Sequence, residues 1–414
     1  MFTEVVPQVL LAFFYTVFNH FFWVVLLLVG YLHHRQAKMK QALFGFRDES
    51  PWRQTMFSVF FGVVGGLMGS YLLVTLGVSL TEIGIGYLWL VAIGLMLISP
   101  RYLCFAYSAG LISICSLVFG FPKVDVPQLM GLVAVLHMVE SFLIFVSGHL
   151  GAVPIYARNA EGKVVGGFNL QRFWPLPIVA LMVISTTNYG GTWFSMPDWW
   201  PLIRPNVAGS LDNMIYLMFP VAAALGYADL AITNRPREKS RYSAVVLACY
   251  STALLILAVL ASYYRPLGLL AALFSPLAHE LTIMVGRNRE LKGKPIFVHP
   301  PKGVMVLDTF KGSVAEKLGL SSLDIIRTVN GVEVNDKFQL KEAAGIHSWW
   351  TEVEYFDGHT GNNQHAFTRK KVGEPLGAIL VPGPGDLPNV HFRTKGLLAR
   401  TWEGLIKKDC SHQQ

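Results

Sequence analysis

Long apolar runs, each close to the length that a lipid bilayer demands, recur between residues 8 and 285 and most constrain the fold. A transmembrane helix needs about 20 predominantly apolar residues. With 53% hydrophobic and 14% charged residues, the 414-residue chain is too apolar for an ordinary soluble protein. The runs lack the alternation, over about 10 residues, of membrane barrel strands. The pattern therefore predicts a polytopic α-helical membrane bundle.

Residues 1–290 are predicted to form this bundle, with about 8 to 9 transmembrane helices. The start of the chain lacks the basic residues of a cleavable signal peptide, so the first run is expected to be retained. The last run contains two prolines, His279 and Glu280, and is predicted either to span the membrane or to re-enter it. The predicted segments are 8–30, 57–80, 83–99, 102–120, 129–149, 175–188, 211–232, 244–263 and 266–285.

The second run carries four closely spaced glycines, which predicts close packing of this helix against its neighbours. They are Gly62, Gly65, Gly66 and Gly69.

Lysine and arginine are distributed unevenly between alternate loops of this predicted topology. With the N-terminus outside, only Lys123, Arg204 and Arg265 fall in outer loops. Because positive charge resists translocation, the chain from Arg287 onward is predicted to be cytoplasmic. The inner-loop cations are Arg35, Lys38, Lys40, Arg47, Arg53, Arg101, Arg158, Lys163, Arg172, Arg235, Arg237, Lys239 and Arg241.

The pattern changes after Lys294 to short segments with alternation and turn residues, which predicts a small α+β domain over residues 295–381. Ser313 is placed to cap a short helix, and Asn330-Gly331 is a preferred pair for a tight turn. The predicted strands are 304–308, 323–329, 332–334, 352–356 and 364–368, with a longer helix at 336–344.

This domain resembles a bacterial PDZ domain in residues 303–307, 312–320, 324–326 and 329–331. Such domains bind a peptide as an added strand between a sheet edge and a helix. Pro301 and Lys302 depart from the usual hydrophobic loop, so a peptide C-terminus and an internal segment both remain open as ligands. The resemblance implies a peptide-binding loop at Lys302 and Gly303, an edge at Val304, Met305 and Val306, and a helical wall with Phe338, Leu340 and Lys341.

The final segment, residues 382–414, begins with a linker-like Pro-Gly-Pro-Gly sequence. Its later apolar residues share a helical face beside cations, which predicts an amphipathic tail. This tail is expected either to contact anionic headgroups or to pack against the PDZ-like domain.

No catalytic residue, metal ligand set or cofactor site is predicted, and the chain is not expected to be an enzyme. His279-Glu280 is followed by Ile283, where a zinc protease needs its second histidine. The four cysteines form no CxxC spacing. Ser70 and Ser147 lie outside any recognisable serine-protease motif.

His137 and Glu140 lie three residues apart on one face of the fifth predicted helix. A proton or ion relay is one interpretation of such an intramembrane pair. A polar clamp between helices is favoured, because transport would require more ionisable groups in the membrane runs.

The chain as a whole is similar to the MinJ family of cell-division topology proteins of Gram-positive rods. Residues 137–141, 165–175 and 295–298 carry this resemblance. It implies a cell-membrane adaptor or scaffold without enzymatic activity, similar to those that link the curvature-marking protein DivIVA to MinD and restrict the FtsZ ring. The implied partners are division-site proteins and the lipid bilayer, with no nucleic acid. Two alternatives remain: an inactive or unrecognised intramembrane protease or protease regulator, and a transporter with a regulatory PDZ domain.

Overall fold

The computed structural model describes residues 2–45, 50–185, 197–205, 214–347 and 349–389. Its first part combines helices with a three-stranded sheet in the order β1-β2-β3. The elements of this part are α1 (Phe2–Phe18), α2 (His20–Phe44), α3 (Pro51–Leu76), α4 (Ile85–Ile98), a 3₁₀ helix (Pro100–Leu103), α5 (Phe105–Phe119), α6 (Val126–Ser147), β1 (Val153–Arg158), β2 (Val164–Ser185), β3 (Met214–Ala231), α7 (Pro236–Tyr263) and α8 (Leu267–Lys292).

Four of these helices, α3, α6, α7 and α8, are long and apolar enough to cross a membrane. The pair α1 and α2 bends by 60° and forms a fifth candidate if it counts as one span. Asn19 at the bend accepts a hydrogen bond from Phe21 N at 2.9 Å, which caps α2. The described residues are thus those of a multi-pass membrane protein with four or five such spans, fewer than the 8 to 9 predicted.

The sixth and seventh predicted membrane helices are wrong, because their described residues, 175–185 and 214–231, lie in the strands β2 and β3. The two strands pair antiparallel from Phe168 opposite Ala231 to Ser185 opposite Met214. Proline inside a helix removes a hydrogen bond and clashes with the preceding turn, and β2 contains two prolines. Hydropathy alone does not separate a buried strand from a buried helix.

β2 runs alongside α3. Backbone N–H groups on its free edge donate to side chains and not to a further strand. Pro175 and Pro177 have no N–H to satisfy. Val179 N donates to Ser70 Oγ at 2.8 Å, and Val183 N donates to a threonine hydroxyl at 2.7 Å. Non-helical backbone at membrane depth is tolerated only where it is buried in protein or lines a water-filled cavity. Side chains of α3 and the loop after it provide that burial here.

Buried charges connect the end of the hairpin to α7 and α8. Glu290 is fully buried and accepts hydrogen bonds from Ile232 N and Thr233 N, both at 2.8 Å. Lys239 is 1% exposed, and its Nζ lies 3.2 Å from Asp229 and 3.9 Å from Glu290. Because α8 leads directly into the C-terminal domain, this cluster also fixes the start of that domain.

The C-terminal domain is a mixed unit whose main sheet has the order β8-β7-β5-β4-β9, with β6 paired to β5. Several local predictions are confirmed: Ser313 Oγ accepts from Glu316 N, and Asn330 and Gly331 both have positive φ. The elements are β4 (Val304–Thr309), α9 (Val314–Lys317), β5 (Ile325–Val329), β6 (Val332–Glu333), α10 (Lys337–Gly345), β7 (Trp350–Phe356), β8 (Asn363–Arg369) and β9 (Ala378–Leu380). Of the predicted final segment, 382–414, residues 382–389 are described, and the predicted amphipathic part after them lies outside the described residues.

Candidate functional site

β4 carries the residues that were predicted to form an open binding edge, and this part of the prediction is wrong. Val304 pairs with Ile326 of β5 on one side, and Val306 pairs with Leu380 of β9 on the other. Met305 O accepts from the backbone N–H that follows Leu380, at 2.9 Å. An added strand therefore has no free edge at 304–306. Peptide binding by the domain stays a prediction.

The loop before β4 bends at a glycine with a left-handed backbone. Gly303 has a φ of 85°, and its N–H donates to Asn335 Oδ1 at 2.8 Å. A Cβ at this position would lie 2.6 Å from Ile326 O, so only glycine fits. Lys302 beside it is exposed. The Gly303 amide is thus already used within the domain.

The predicted helical wall divides into core and surface residues. Leu340 is 6% exposed and belongs to the core of the C-terminal domain. Phe338 is 69% exposed, and Lys341 is exposed on the same helix. Just beyond the helix, Ile346 is 53% and Trp349 69% exposed. We name Phe338, Lys341, Ile346 and Trp349 the α10 surface; it is the most apolar exposed part of this helix and its following loop.

β9 was missed in the sequence because it is only three residues long and follows a turn rich in proline and glycine. It forms an end of the sheet, so its far side is an edge. On that side Leu380 O accepts a hydrogen bond from the Tyr156 hydroxyl at 2.8 Å. Burial, followed by the nearby charge of Asp386, raises the pKa of Tyr156 to about 12. The edge of β9 is therefore in contact with β1 of the membrane domain.

One face of the C-terminal sheet packs into the same core as the hairpin. Phe297 is fully buried, its ring lies 5.3 Å from the ring of Phe168, and its carbonyl accepts from Gly166 N at 2.9 Å. Burying such aromatic side chains supplies most of the energy of a contact of this type. The C-terminal residues in this shared core are Phe297, Leu307, Phe310, Ile379 and Val381.

Polar contacts also fix the orientation of the C-terminal domain against the membrane part. Tyr156 N donates to Asn389 Oδ1 at 2.8 Å, and Asn389 N donates back to Tyr156 O at 3.1 Å. Elsewhere on the interface Lys40 Nζ lies 3.8 Å from Asp308. The domain is thus held with its β4–β9 face toward the membrane part, while α10 packs on the opposite face.

The membrane helices bring His137 and His279 together, which the sequence did not indicate. Their rings lie 5.1 Å apart, and Cys104 Sγ is 3.1 Å from His137 Nε2. Glu280 instead receives the Tyr107 hydroxyl at 2.6 Å and lies 3.1 Å from Arg101. Cys104, His137 and His279 are far apart in the chain, so no local spacing of residues could have revealed that they meet.

Comparisons with known proteins give one informative similarity. No family model matches the chain. The cell division topological determinant MinJ of Bacillus subtilis (strain 168) is 23% identical over 355 residues, which cover 81% of this chain and 84% of that protein. Over most of its length, the chain is therefore similar to a cell-division topological determinant.

Proposed function

We propose that the chain is a membrane-anchored adaptor whose C-terminal domain binds protein partners and takes part in placing the cell-division machinery. The observation that carries this proposal is the docked domain, which is fixed to the membrane part by one face and presents the α10 surface on the other. Aromatic residues such as Phe338 and Trp349 are enriched at protein-interaction sites. The proposed role in cell division rests on the similarity to a cell-division topological determinant.

The domain is proposed to be PDZ-like and to recognise a peptide segment beside α10. Phe338 and Lys341 are the contacts retained from the predicted groove, because Leu340 is in the core. The peptide is proposed to dock on the α10 surface and not along β9, because the outer side of β9 already contacts Tyr156 of β1.

The surroundings of His279 support a non-enzymatic adaptor. A protease of the zinc type needs the glutamate after the first histidine as a free base. Glu280 is instead paired with Arg101 at 3.1 Å and accepts the Tyr107 hydroxyl. Ile283 occupies the position of the second histidine. We therefore propose that this segment holds helices together and does not hydrolyse peptides.

The proposal is tested by localisation in the native cell. A fluorescent fusion of the full chain should concentrate at division sites, and deletion of the gene should misplace septa. Exchange of Phe338 and Trp349 for alanine should disperse the fusion, because exposed aromatic residues dominate binding energies at interfaces. Val372→Ala is the matched control, since Val372 is 63% exposed but lies outside the α10 surface. Uniform membrane fluorescence of the wild-type fusion would contradict the proposal.

A biochemical arm tests the adaptor role directly. The full chain is cross-linked in native membranes, solubilised in detergent and purified. It should capture at least about tenfold more division protein than the Phe338→Ala, Trp349→Ala variant. Equal capture by both proteins would place the binding surface elsewhere.

A further inference from the structure

Three side chains of the types that can ligate a metal, from three separate parts of the chain, meet inside the membrane part. Cys104 precedes α5, His137 lies on α6 and His279 lies on α8. Cys104 Sγ is 3.1 Å from His137 Nε2 and 3.7 Å from His279 Nε2, and one ligand atom of each residue lies within 4.8 Å of the others. Both histidines are buried. We name these three residues the Cys-His-His cluster.

The tautomer of His137 is set for ligation. Its Nδ1 lies 2.8 Å from Val133 O, and because a carbonyl only accepts, Nδ1 must carry the proton. The lone pair of Nε2 then points toward Cys104. Metal-binding histidines almost always use the second ring nitrogen in this way, with a carbonyl or carboxylate fixing the ring.

His279 lacks a complete set of hydrogen bonds within the described residues. Its Nδ1 is buried without a partner, and its Nε2 contacts only the sulfur. Buried polar atoms are rarely left in this state. Without a metal, the thiol donates its proton to His137 Nε2 and His279 Nε2–H donates to the sulfur, which leaves Nδ1 of His279 as the unpartnered atom. A metal at Nε2 would leave Nδ1 unchanged, so the case for a metal rests on the convergence of the three ligand atoms.

The distances suit one metal ion. Bonds of about 2.3 Å to sulfur and 2.0–2.1 Å to nitrogen place these two atoms about 3.6 Å apart at ordinary coordination angles. The two observed S–N separations, 3.1 and 3.7 Å, lie on either side of that value. The two sulfur–nitrogen contacts therefore need little adjustment, and the imidazole ligand atoms, which lie within 4.8 Å of each other, would close around the ion.

We propose that the Cys-His-His cluster binds one soft d¹⁰ metal ion, Cu⁺ in preference to Zn²⁺. Thiolate and imidazole select ions of this class. On binding, the Cys104 thiol loses its proton to solvent, and one thiolate with two neutral imidazoles makes a neutral Cu⁺ complex. A neutral complex suits a site enclosed by membrane helices, where net charge is costly. Zn²⁺ would retain a positive charge and require a fourth ligand, while the nearby Glu280 is already paired with Arg101.

A bound metal would link the start of α5 to α6 and α8. Because α8 continues into the C-terminal domain, metal occupancy would stiffen the helix that carries it. This inference does not depend on the proposed adaptor function, because it concerns the membrane helices alone.

The test uses the full-length protein, purified in detergent without a polyhistidine tag. It is incubated anaerobically with Cu⁺ or with Zn²⁺, dialysed against a weak chelator, and analysed for metal by mass spectrometry. The wild type should retain one Cu⁺ per chain, and Cys104→Ser and His279→Gln should each lower the affinity at least about tenfold. Cys249→Ser is the matched control, because Cys249 is exposed on α7 and outside the cluster.

A second measurement keeps the proposal falsifiable if a variant folds poorly. In the wild type, Cu⁺ should raise the melting temperature and protect Cys104 from a maleimide reagent, as read by peptide mass spectrometry. Cu⁺ retention by Cys104→Ser equal to that of the wild type, or no protection of Cys104, would overturn the site. Retention of Zn²⁺ without Cu⁺ would overturn the choice of ion.

Discussion

The backbone carbonyl of Pro175 lies only 2.1 Å from the position that a Cβ would occupy on Gly62. One turn further along α3, Gly66 stands in the same relation to Pro177 O, also at 2.1 Å. The helix and the strand β2 thus approach each other more closely than any side chain allows. Glycine at both positions is a requirement of this packing.

Gly66→Ala should therefore destabilise the membrane part by about 1–3 kcal/mol or more, since the new methyl group meets rigid backbone. Thermal unfolding in detergent, followed by intrinsic fluorescence, measures the change. Gly94→Ala is the control, because a Cβ at Gly94 in α4 meets nothing within 4 Å and alanine favours the helix. A melting temperature of Gly66→Ala equal to that of Gly94→Ala would disprove the close contact.

The same glycines show what the sequence could and could not predict. Their spacing correctly indicated close packing on α3, and Gly65 does face Leu143 of α6. However, Gly62 and Gly66 face a strand and not a helix. Helices were predicted there because apolar residues 175–188 and 211–232 have the length and hydropathy of helices. Only the proline positions in β2 argued for extended backbone. The partner of an apolar segment is a long-range property that its own composition does not contain.

The buried charge cluster gives a second prediction. Lys239→Ala leaves Glu290 buried without its cation, and loss of one partner of a buried pair costs about 3–5 kcal/mol. Lys163→Ala removes an exposed cation that lies 3.1 Å from Glu161 and should cost about 0–1 kcal/mol. Both are read from melting temperatures and from trypsin cleavage near residue 293. Similar stability of the two variants would show that the Lys239 contacts contribute little.

The C-terminal domain was predicted more completely than the membrane part, because turns and caps are encoded locally. Two helices begin at residues whose side chains cap them, Ser313 and Asp336. The turn between β5 and β6 forms at Asn330-Gly331, where both residues have positive φ. β9 was not predicted, and its absence from the sequence interpretation made β4 look like an edge. The Cys-His-His cluster was missed for a related reason: its donors are separated by 33 and 175 residues.

Docking of the C-terminal domain should depend on the Tyr156 hydroxyl. Tyr156→Phe removes the hydrogen bond to Leu380 O and should weaken docking by about 1 kcal/mol. Hydrogen exchange of amides in β9 measures this loosening. Leu387→Ala is a suitable control, because Leu387 is 78% exposed near the interface. Unchanged exchange in Tyr156→Phe would mean that the apolar core alone holds the domain.

The raised pKa of Tyr156 adds a pH dependence to this contact. The neutral hydroxyl is favoured in the folded protein, so its contribution is fully present below the unfolded pKa of about 10. It is lost as the pH rises through the folded value of about 12. Exchange in β9 should therefore increase over that window in the wild type beyond its intrinsic base catalysis. Tyr156→Phe should lack this additional increase.

The orientation of the C-terminal domain is the last prediction, and it survives the loss of two predicted helices. Removing β2 and β3 from the nine predicted segments removes an even number, and α4 and α5 also count as a pair whether they cross or re-enter. We therefore still expect the C-terminal domain on the side of the cation-rich loops, which the positive-inside rule assigns to the cytoplasm.

This orientation is checked by cysteine labelling in intact cells, in a background whose native cysteines are replaced by serine or alanine. Lys123→Cys, between α5 and α6, should react with a membrane-impermeant maleimide added outside. Glu161→Cys lies in the exposed turn between β1 and β2, where the Glu161 side chain is 69% exposed. It should react only after the cells are opened, because the turn lies on the side of the C-terminal domain. A reporter fused after Gln414 should likewise be active only in its cytoplasmic version. Labelling of Glu161→Cys in intact cells would place the C-terminal domain outside, and the adaptor proposal, which needs cytoplasmic partners, would fail with it.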